Sequence, residues 1–310
     1  MDSLSPLVVI AGPTGSGKSG LALRLAHRFH GEIVNCDSVQ IYRHFRIGAA
    51  KLAPEEQEGI PHHMLDVAEP DETYTAGDYS RQARAAIRGI TVRHHLPIVV
   101  GGTGFYLRAL IEGLFEGPAR DEAIRSRLAG REAKRAGSLH RILRRLDPAA
   151  AKRIHAKDVN KVMRALEVIL IERKPLTVLH EEGRDALEGY RVLRLGLNPP
   201  RAELYARLDA RAAAMFREGL LEETQSILDR GYAGASKPFE SLGYAQALRV
   251  LRGEMSVEAA IAETQLQTRQ YAKRQWTWFR RDKNIVWLDG FGGNEDVAAR
   301  AEEHVRGFLG

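Results

Sequence analysis

Val8-Val9-Ile10-Ala11-Gly12-Pro13-Thr14-Gly15-Ser16-Gly17-Lys18-Ser19 is an apolar run that breaks into a glycine-rich loop and continues as a helical pattern. Four residues separate Gly12 from Gly17, with Lys18 and Ser19 directly after, so the stretch carries the complete P-loop pattern. Glycines let successive backbone N–H groups turn inward around phosphate oxygens. The loop from Gly12 through Pro13, Thr14, Gly15, Ser16 and Gly17 would form the cradle, Lys18 adds a point charge, and the Ser19 hydroxyl suits Mg²⁺. The helix that follows points its positive end at the anion. The plain alternative is a glycine turn that binds nothing. A strand before, a helix after and Lys-Ser in register favour a diphosphate or triphosphate, nucleotides such as ATP included.

Working outward, Leu21, Leu25 and Phe29 repeat every four residues and predict a helix with one buried stripe. A second strand is expected from Glu32 to Cys36, ending at Asp37-Ser38-Val39-Gln40-Ile41-Tyr42. In an open α/β sheet the ligand lies beyond the carboxyl ends of the strands, so Asp37 should face the phosphate loop; Asp-Ser could equally cap a helix. Pro61-His62-His63-Met64 reads as a loop whose adjacent histidines make a poor metal site. Ala76 to Ile90 predicts a helix with Tyr79, Ala83, Ala86 and Ile87 inward and Arg81, Arg84 and Arg88 outward. Leu96-Pro97-Ile98-Val99-Val100 is another apolar strand, and it breaks into Gly101-Gly102-Thr103-Gly104-Phe105-Tyr106, a second glycine-rich loop at the same sheet edge. Tyr190 to Leu197 and Ile285 to Leu288 return to strand character. Between them a helix is expected with Leu204, Leu208 and Met215 inward, and with Arg207 and Arg211 on an exposed face suited to an anion or to solvent. The fold class is α/β: a P-loop NTPase-like core with a central, mostly parallel sheet flanked by helices, plus an inserted α-helical domain.

The 310 residues carry a net charge of +6 and a pI near 9.4. The charge is unevenly spread. Arg120 to Lys174 holds 16 Lys+Arg against 7 Asp+Glu, a local +9, so the remainder is −3. That segment is helical in pattern, and its charge argues for a nucleic-acid partner over a merely solvated face. It divides the chain into a core of residues 1–117 and 190–310 and a basic helical insertion of 118–189. Thr268 to Arg281 ends the last long helix, with Arg269, Lys273, Trp276 and Arg280 on one stripe, a pattern for phosphate contacts with base stacking or for a helix docked by its tryptophans. Cys36 is the only cysteine, which excludes a disulfide framework and a thiolate zinc cluster. Without a basic leader or an apolar run of membrane-spanning length, the expected location is the cytoplasm.

The P-loop, Asp37 to Tyr42, Pro61-His62-His63, Gly101 to Tyr106, Arg164-Ala165-Leu166-Glu167, Gly243-Tyr244 and Thr268 to Gln275 together resemble the bacterial tRNA dimethylallyltransferases of the IPP transferase family. The resemblance spans nearly the whole chain in the right order. It implies transfer of the dimethylallyl group from dimethylallyl diphosphate, with Mg²⁺, to N6 of the adenine immediately 3′ of the anticodon in tRNA. By resemblance the catalytic residues are Asp37, Thr103, Lys18 and Arg211, with Arg207 the alternative to Arg211 for the diphosphate contact. Asp37 would accept the N6 proton, and Thr103 would contact the oxygen bridging allyl and diphosphate. The P-loop and Ser19 would hold diphosphate and metal. RNA contacts would come from Asp37, Ser38, Val39 and Gln40, from Arg125, from Asn160, Lys161, Val162, Met163 and Arg164, and from Gly243 and Tyr244. The last set is Lys273, Arg274, Gln275, Trp276, Thr277, Trp278, Phe279 and Arg280. A monomer is expected. A P-loop small-molecule kinase, an adenylate isopentenyltransferase acting on free nucleotide and a non-catalytic RNA-binding P-loop protein are the alternatives. None of the three accounts for both RNA-facing segments and Asp37 with Thr103.

Overall fold

A computed structural model describes residues 4–115, 117, 118, 120–181, 183 and 185–310. The chain divides into a core unit, Met1–Ile111 with Leu187–Gly310, and a second unit, Glu112–Ala186. In the core the elements run β1 (Ser5–Ala11), α1 (Lys18–Phe29), β2 (Gly31–Asn35), β3 (His62–His63), α2 (Ala76–Val92), β4 (Leu96–Val100) and α3 (Gly104–Ile111). The second unit follows with α4 (Glu122–Lys134), α5 (Ser138–Leu146), α6 (Pro148–Arg153), α7 (Val159–Glu172) and α8 (Leu176–Glu181). The core then resumes with β5 (Tyr190–Asn198), α9 (Arg201–Arg217), α10 (Leu220–Asp229), α11 (Tyr244–Leu251), α12 (Val257–Phe279), β6 (Ile285–Asp289) and α13 (Glu295–Leu309).

The sheet has six strands in the order β3-β2-β4-β1-β5-β6, and every described pairing is parallel. Strands covered on both faces must be apolar throughout, which is why β1 and β4 read as unbroken runs. Pro97 is tolerated in the central β4 because pairing with β1 begins only at Ile98, opposite Val8. One face packs Val8, Ile10, Ile33, Ile98 and Leu195 against Leu21 and Leu25 of α1 and Val297 and Ala301 of α13. Where α3 ends, Leu187 N–H donates to the Ile111 carbonyl at 3.0 Å, so the chain rejoins the core beside the residue from which it departed.

Two expectations are corrected. His62-His63 is an edge strand, paired in register with Ile33 and Val34, and not a loop. Arg84 does not face solvent: it is 7 % exposed, and its guanidinium donates to the Leu110 carbonyl through Nε at 3.0 Å and Nη2 at 2.8 Å, closing the end of α3. Unpaired carbonyls at a helix terminus need a donor, and here a buried arginine supplies it.

Glu32, in β2, is only 2 % exposed and sits among one arginine and two histidines. Its Oε1 takes Arg93 Nε at 3.0 Å and His95 Nδ1 at 2.7 Å, and its Oε2 takes Arg93 Nη2 at 2.7 Å and His63 Nε2 at 2.6 Å. The Arg93 hydrogen bonds, aided by both histidines and opposed by burial, hold the carboxyl down at about 2 against an ordinary 4.5. A depressed carboxylate stabilises the fold above its unfolded pKa, and that stability is lost as pH falls from 4.5 towards 2. Glu32→Gln is therefore expected to lower unfolding free energy by about 3 kcal/mol at pH 7 in urea titrations, with the gap to the native chain closing as pH falls through that window.

The second unit is built from helices alone among its described residues. Its core gathers Leu128, Leu139, Leu143, Val162, Met163, Leu166 and Ile169. Buried Glu167 ties it together, taking Asp121 N–H at 2.8 Å, Arg164 Nη1 at 2.8 Å and Arg125 Nη1 at 3.3 Å.

Candidate active site

The carboxyl ends of β2, β4 and β1, neighbours in the sheet, bring Asp37, Thr103 and the P-loop to one edge. Gly12, Gly15 and Gly17 adopt φ of 143°, 77° and 87°, conformations that side chains disfavour, and so let the loop curl. Within it Ser16 is fully buried, with no partner for its hydroxyl among the described residues. Lys18 Nζ folds back onto the Pro13 carbonyl at 2.7 Å. Burial lowers the Lys18 ammonium to about 8; Asp37 opposes this and Arg211 adds to it. A desolvated cation of this kind is relieved by an arriving anion.

Asp37 Oδ1 accepts the N–H groups of Val39 at 2.8 Å and Gln40 at 3.3 Å, which makes it the head of an Asx turn and not a helix cap. Thr103 Oγ1 accepts Ser38 N–H at 3.0 Å and directs its proton along a long 3.4 Å contact with Ser38 Oγ. Gly101 brings the loop against β2: a Cβ there would lie 2.0 Å from the Cys36 carbonyl oxygen. Cys36 is buried, and its thiol is pushed up to about 12, which leaves it inert.

Two cavities meet at Asp37 and Arg211. One, about 360 Å³, is lined by Thr14, Gly15, Gly17, Lys18 and Ser19 with Gly101, Gly102, Arg207 and Gln275. The other, about 450 Å³, is lined by Tyr42, Tyr74, Tyr106, Leu208, Met215 and Tyr271 with Val39 and Arg274. Thr14, Asp37, Ala49 and Arg211 line both. Met215, expected inward with Leu204 and Leu208, is half-buried and lines this wall beside Leu208. Arg211 is half-buried between the compartments, whereas Arg207 is exposed and lies over the Phe291 ring at 5.3 Å. Sequence reading missed the tyrosine wall, because those residues come from four separate segments with no shared spacing.

The residues expected to touch RNA separate by burial. Asn160 and Lys161 are exposed, but Val162 and Met163 lie in the core of the helical unit. Arg125 and Arg164 are held by Glu167. Tyr244 is fully buried; its hydroxyl donates to Glu223 and accepts Gly48 N–H at 3.1 Å, so it supports the cavity wall. Gly243 is buried beside it. Gln40 binds the Ala49 and Ala50 carbonyls at 3.0 and 3.3 Å. On α12 and its C-cap, Lys273, Arg274, Thr277, Trp278 and Arg280 are exposed, while Gln275, Trp276 and Phe279 are buried. Trp276 packs with Leu204, Leu208 and Ala272, so of the two readings of this stripe the helix docked by a tryptophan is the one formed at Trp276. Val162, Met163, Trp276 and Phe279 are packed side chains, and a buried side chain is unavailable to a base.

The described residues contain no group of three or more His, Cys, Asp or Glu side chains able to cage a metal. Exposed Ser19 and nearby Asp37 offer hard oxygens, a set that fits Mg²⁺ shared with a diphosphate and its waters.

A P-loop and a carboxylate at the carboxyl ends of adjacent parallel strands, opening on an aromatic compartment, define a P-loop-type phosphate-binding core. Comparison with known proteins makes this specific. The sequence model described as IPP transferase matches residues 40–282. A tRNA dimethylallyltransferase of Solibacter usitatus is 59% identical over 305 residues, covering 98% of this chain and 99% of that one. The tRNA dimethylallyltransferase of Koribacter versatilis is 52% identical over 301 residues, 97% and 98% of the two chains. Among solved structures, the full-length tRNA isopentenylpyrophosphate transferase of Bacillus halodurans superposes with a TM-score of 0.72 at 34% identity, covering 99% and 96% of the chains. A eukaryotic dimethylallyltransferase acting on tRNA gives a TM-score of 0.82 at 28% identity, over 98% of this chain and 79% of that one. The chain belongs to the IPP transferase family and is a prenyltransferase.

Proposed function

We propose that this enzyme transfers the dimethylallyl group from dimethylallyl diphosphate to N6 of the adenine immediately 3′ of the anticodon in tRNA, releasing diphosphate. The observation that carries the reading is the meeting of a phosphate compartment and an aromatic one at Asp37 and Arg211. The N6 lone pair forms the new C–N bond as the allylic C–O bond breaks, and that bonding pair leaves with diphosphate. Asp37 takes the N6 proton and orients the amine, a weak nucleophile for which alignment matters as much as deprotonation. The P-loop amides, Lys18 and Arg211 receive the charge that develops on the leaving group. Thr103 donates to the bridging oxygen by releasing its long contact with Ser38. Mg²⁺, held by Ser19 and the donor's own oxygens, would neutralise further charge. The adenine must leave the anticodon-loop stack to enter the aromatic compartment. Exposed Asn160, Lys161, Lys273, Arg274, Thr277, Trp278 and Arg280 supply the RNA-facing groups. The reading carries with it a cytoplasmic monomer; none of the described helices is long and apolar enough to cross a membrane.

The test is incubation with unmodified tRNA, radiolabelled dimethylallyl diphosphate and Mg²⁺. Label is expected in tRNA. Label in free AMP would move the acceptor to a nucleotide, and ATP turnover without any transfer would point to a kinase.

A further inference from the structure

We infer that Gln275 is a positioning residue whose carboxamide ties the P-loop to the loop carrying Thr103, fixing the separation between the diphosphate cradle and the hydroxyl that faces the departing oxygen. The inference rests on the transfer reaction proposed above. The β1–β4 ladder ends at Ile10 and Val100, with one further bond from Gly101 N–H to the Ile10 carbonyl at 3.2 Å. Past that point the two strands open into separate glycine-rich loops, and sheet hydrogen bonding no longer sets their spacing.

Gln275, on α12, closes that gap. Its Oε1 accepts Thr14 N–H at 2.8 Å, and its Nε2 donates to the Gly102 carbonyl at 2.9 Å. Gly102 is shaped for the contact: a Cβ there would lie 2.2 Å from Gln275 Nε2. The side chain is 5 % exposed and engaged at both ends, so it has little left with which to read a base. Tyr271, one turn earlier, places its hydroxyl beside Thr103 and Gln275. Buried at that spot, the Tyr271 phenol is pushed up to about 12 and stays protonated. The clamp therefore acts through Thr103. Reactivity that depends on alignment is lost steeply when loops drift by about 1 Å.

Gln275→Met keeps the length and removes both hydrogen bonds. Its single-turnover transfer at saturating tRNA and donor is expected to fall about 10²-fold. Gln275 lines the phosphate compartment, but its carboxamide is already engaged by Thr14 N–H and the Gly102 carbonyl, and Lys18 remains; the KM for tRNA and the calorimetric Kd for inorganic diphosphate are therefore expected to stay within about threefold. In a Thr103→Ala background the same change should cost less than about threefold more, because residues acting as a unit are not additive. Gln275→Glu keeps the acceptor for Thr14 N–H and loses the donor for Gly102, and it should show the same split if the methionine variant does not fold. A raised KM for tRNA with unchanged kcat would make Gln275 an RNA contact and overturn the inference. Full multiplication of the two losses in the double variant would also overturn it, since that is the signature of an independent structural role. A chain that transfers normally with Gln275→Met sinks the inference alone; an unaltered chain that transfers nothing sinks the reading and the inference together.

Discussion

Asp37→Ala is expected to lower the single-turnover rate of transfer by about 10³-fold while leaving the Kd for tRNA within about threefold. A positioned base contributes between 10² and 10⁴, roughly, and here the same carboxylate must also aim the amine lone pair. The alanine variant carries a second consequence, because Asp37 Oδ1 heads the turn that holds Val39 and Gln40. Asp37→Asn separates the two effects. An asparagine retains an oxygen for those N–H groups but cannot accept the N6 proton, so it should lose nearly as much rate as alanine with the turn intact. Recovery of more than about a tenth of native rate by the asparagine variant would assign the loss to the turn and remove Asp37 from the proton transfer.

Lys18→Met is expected to lower transfer by about 10²- to 10³-fold through loss of charge opposite the leaving group. Calorimetry with inorganic diphosphate should show the same loss as weakened binding. The native chain should show its own pH signature. With Lys18 at about 8 in the free protein, diphosphate affinity falls as pH rises through that value, since only the protonated form attracts the anion. Lys18→Arg keeps a charge that does not titrate in this range and should remove the inflection, leaving only the titration of the ligand itself. Stability moves the other way. A lysine lowered from 10.5 to about 8 disfavours the fold while charged, and the penalty is relieved as pH climbs across that interval. Lys18→Met should therefore melt higher than the native chain at pH 7 without diphosphate, and lower than it when diphosphate saturates the native site.

The P-loop was legible because its signal is local: glycine spacing and Lys-Ser fall within one turn of chain. Asp37 and Thr103 were legible through topology, since a parallel sheet delivers successive strand ends to one edge. The reading failed where partners are distant in sequence. Arg84 looks like a surface residue by helical period, but the carbonyl that draws it inward is 26 residues away. The stripe of Arg269, Lys273, Trp276 and Arg280 leaves two readings open by period alone, and burial separates them: Trp276 docks while Lys273 and Arg280 stay exposed. Gln275 reads as one more polar residue in a basic helix, and only the two loops 261 and 173 residues distant reveal its use. His62-His63 is too short a strand for any alternation to show.

Leu187 and Ile111 meet through a single backbone hydrogen bond. The core therefore closes over the departure and return of the helical unit as a seam closes with one stitch. The sheet neither gains a strand from that unit nor depends on its length, and lengthening a segment whose ends already touch costs only about 0.6 kcal/mol per doubling. The chemistry and the lobe thus sit under separate constraints. Sequence can drift, shrink or grow between those two residues, retuning what the lobe carries, while the parallel strands that hold Asp37, Thr103 and the phosphate loop stay in register.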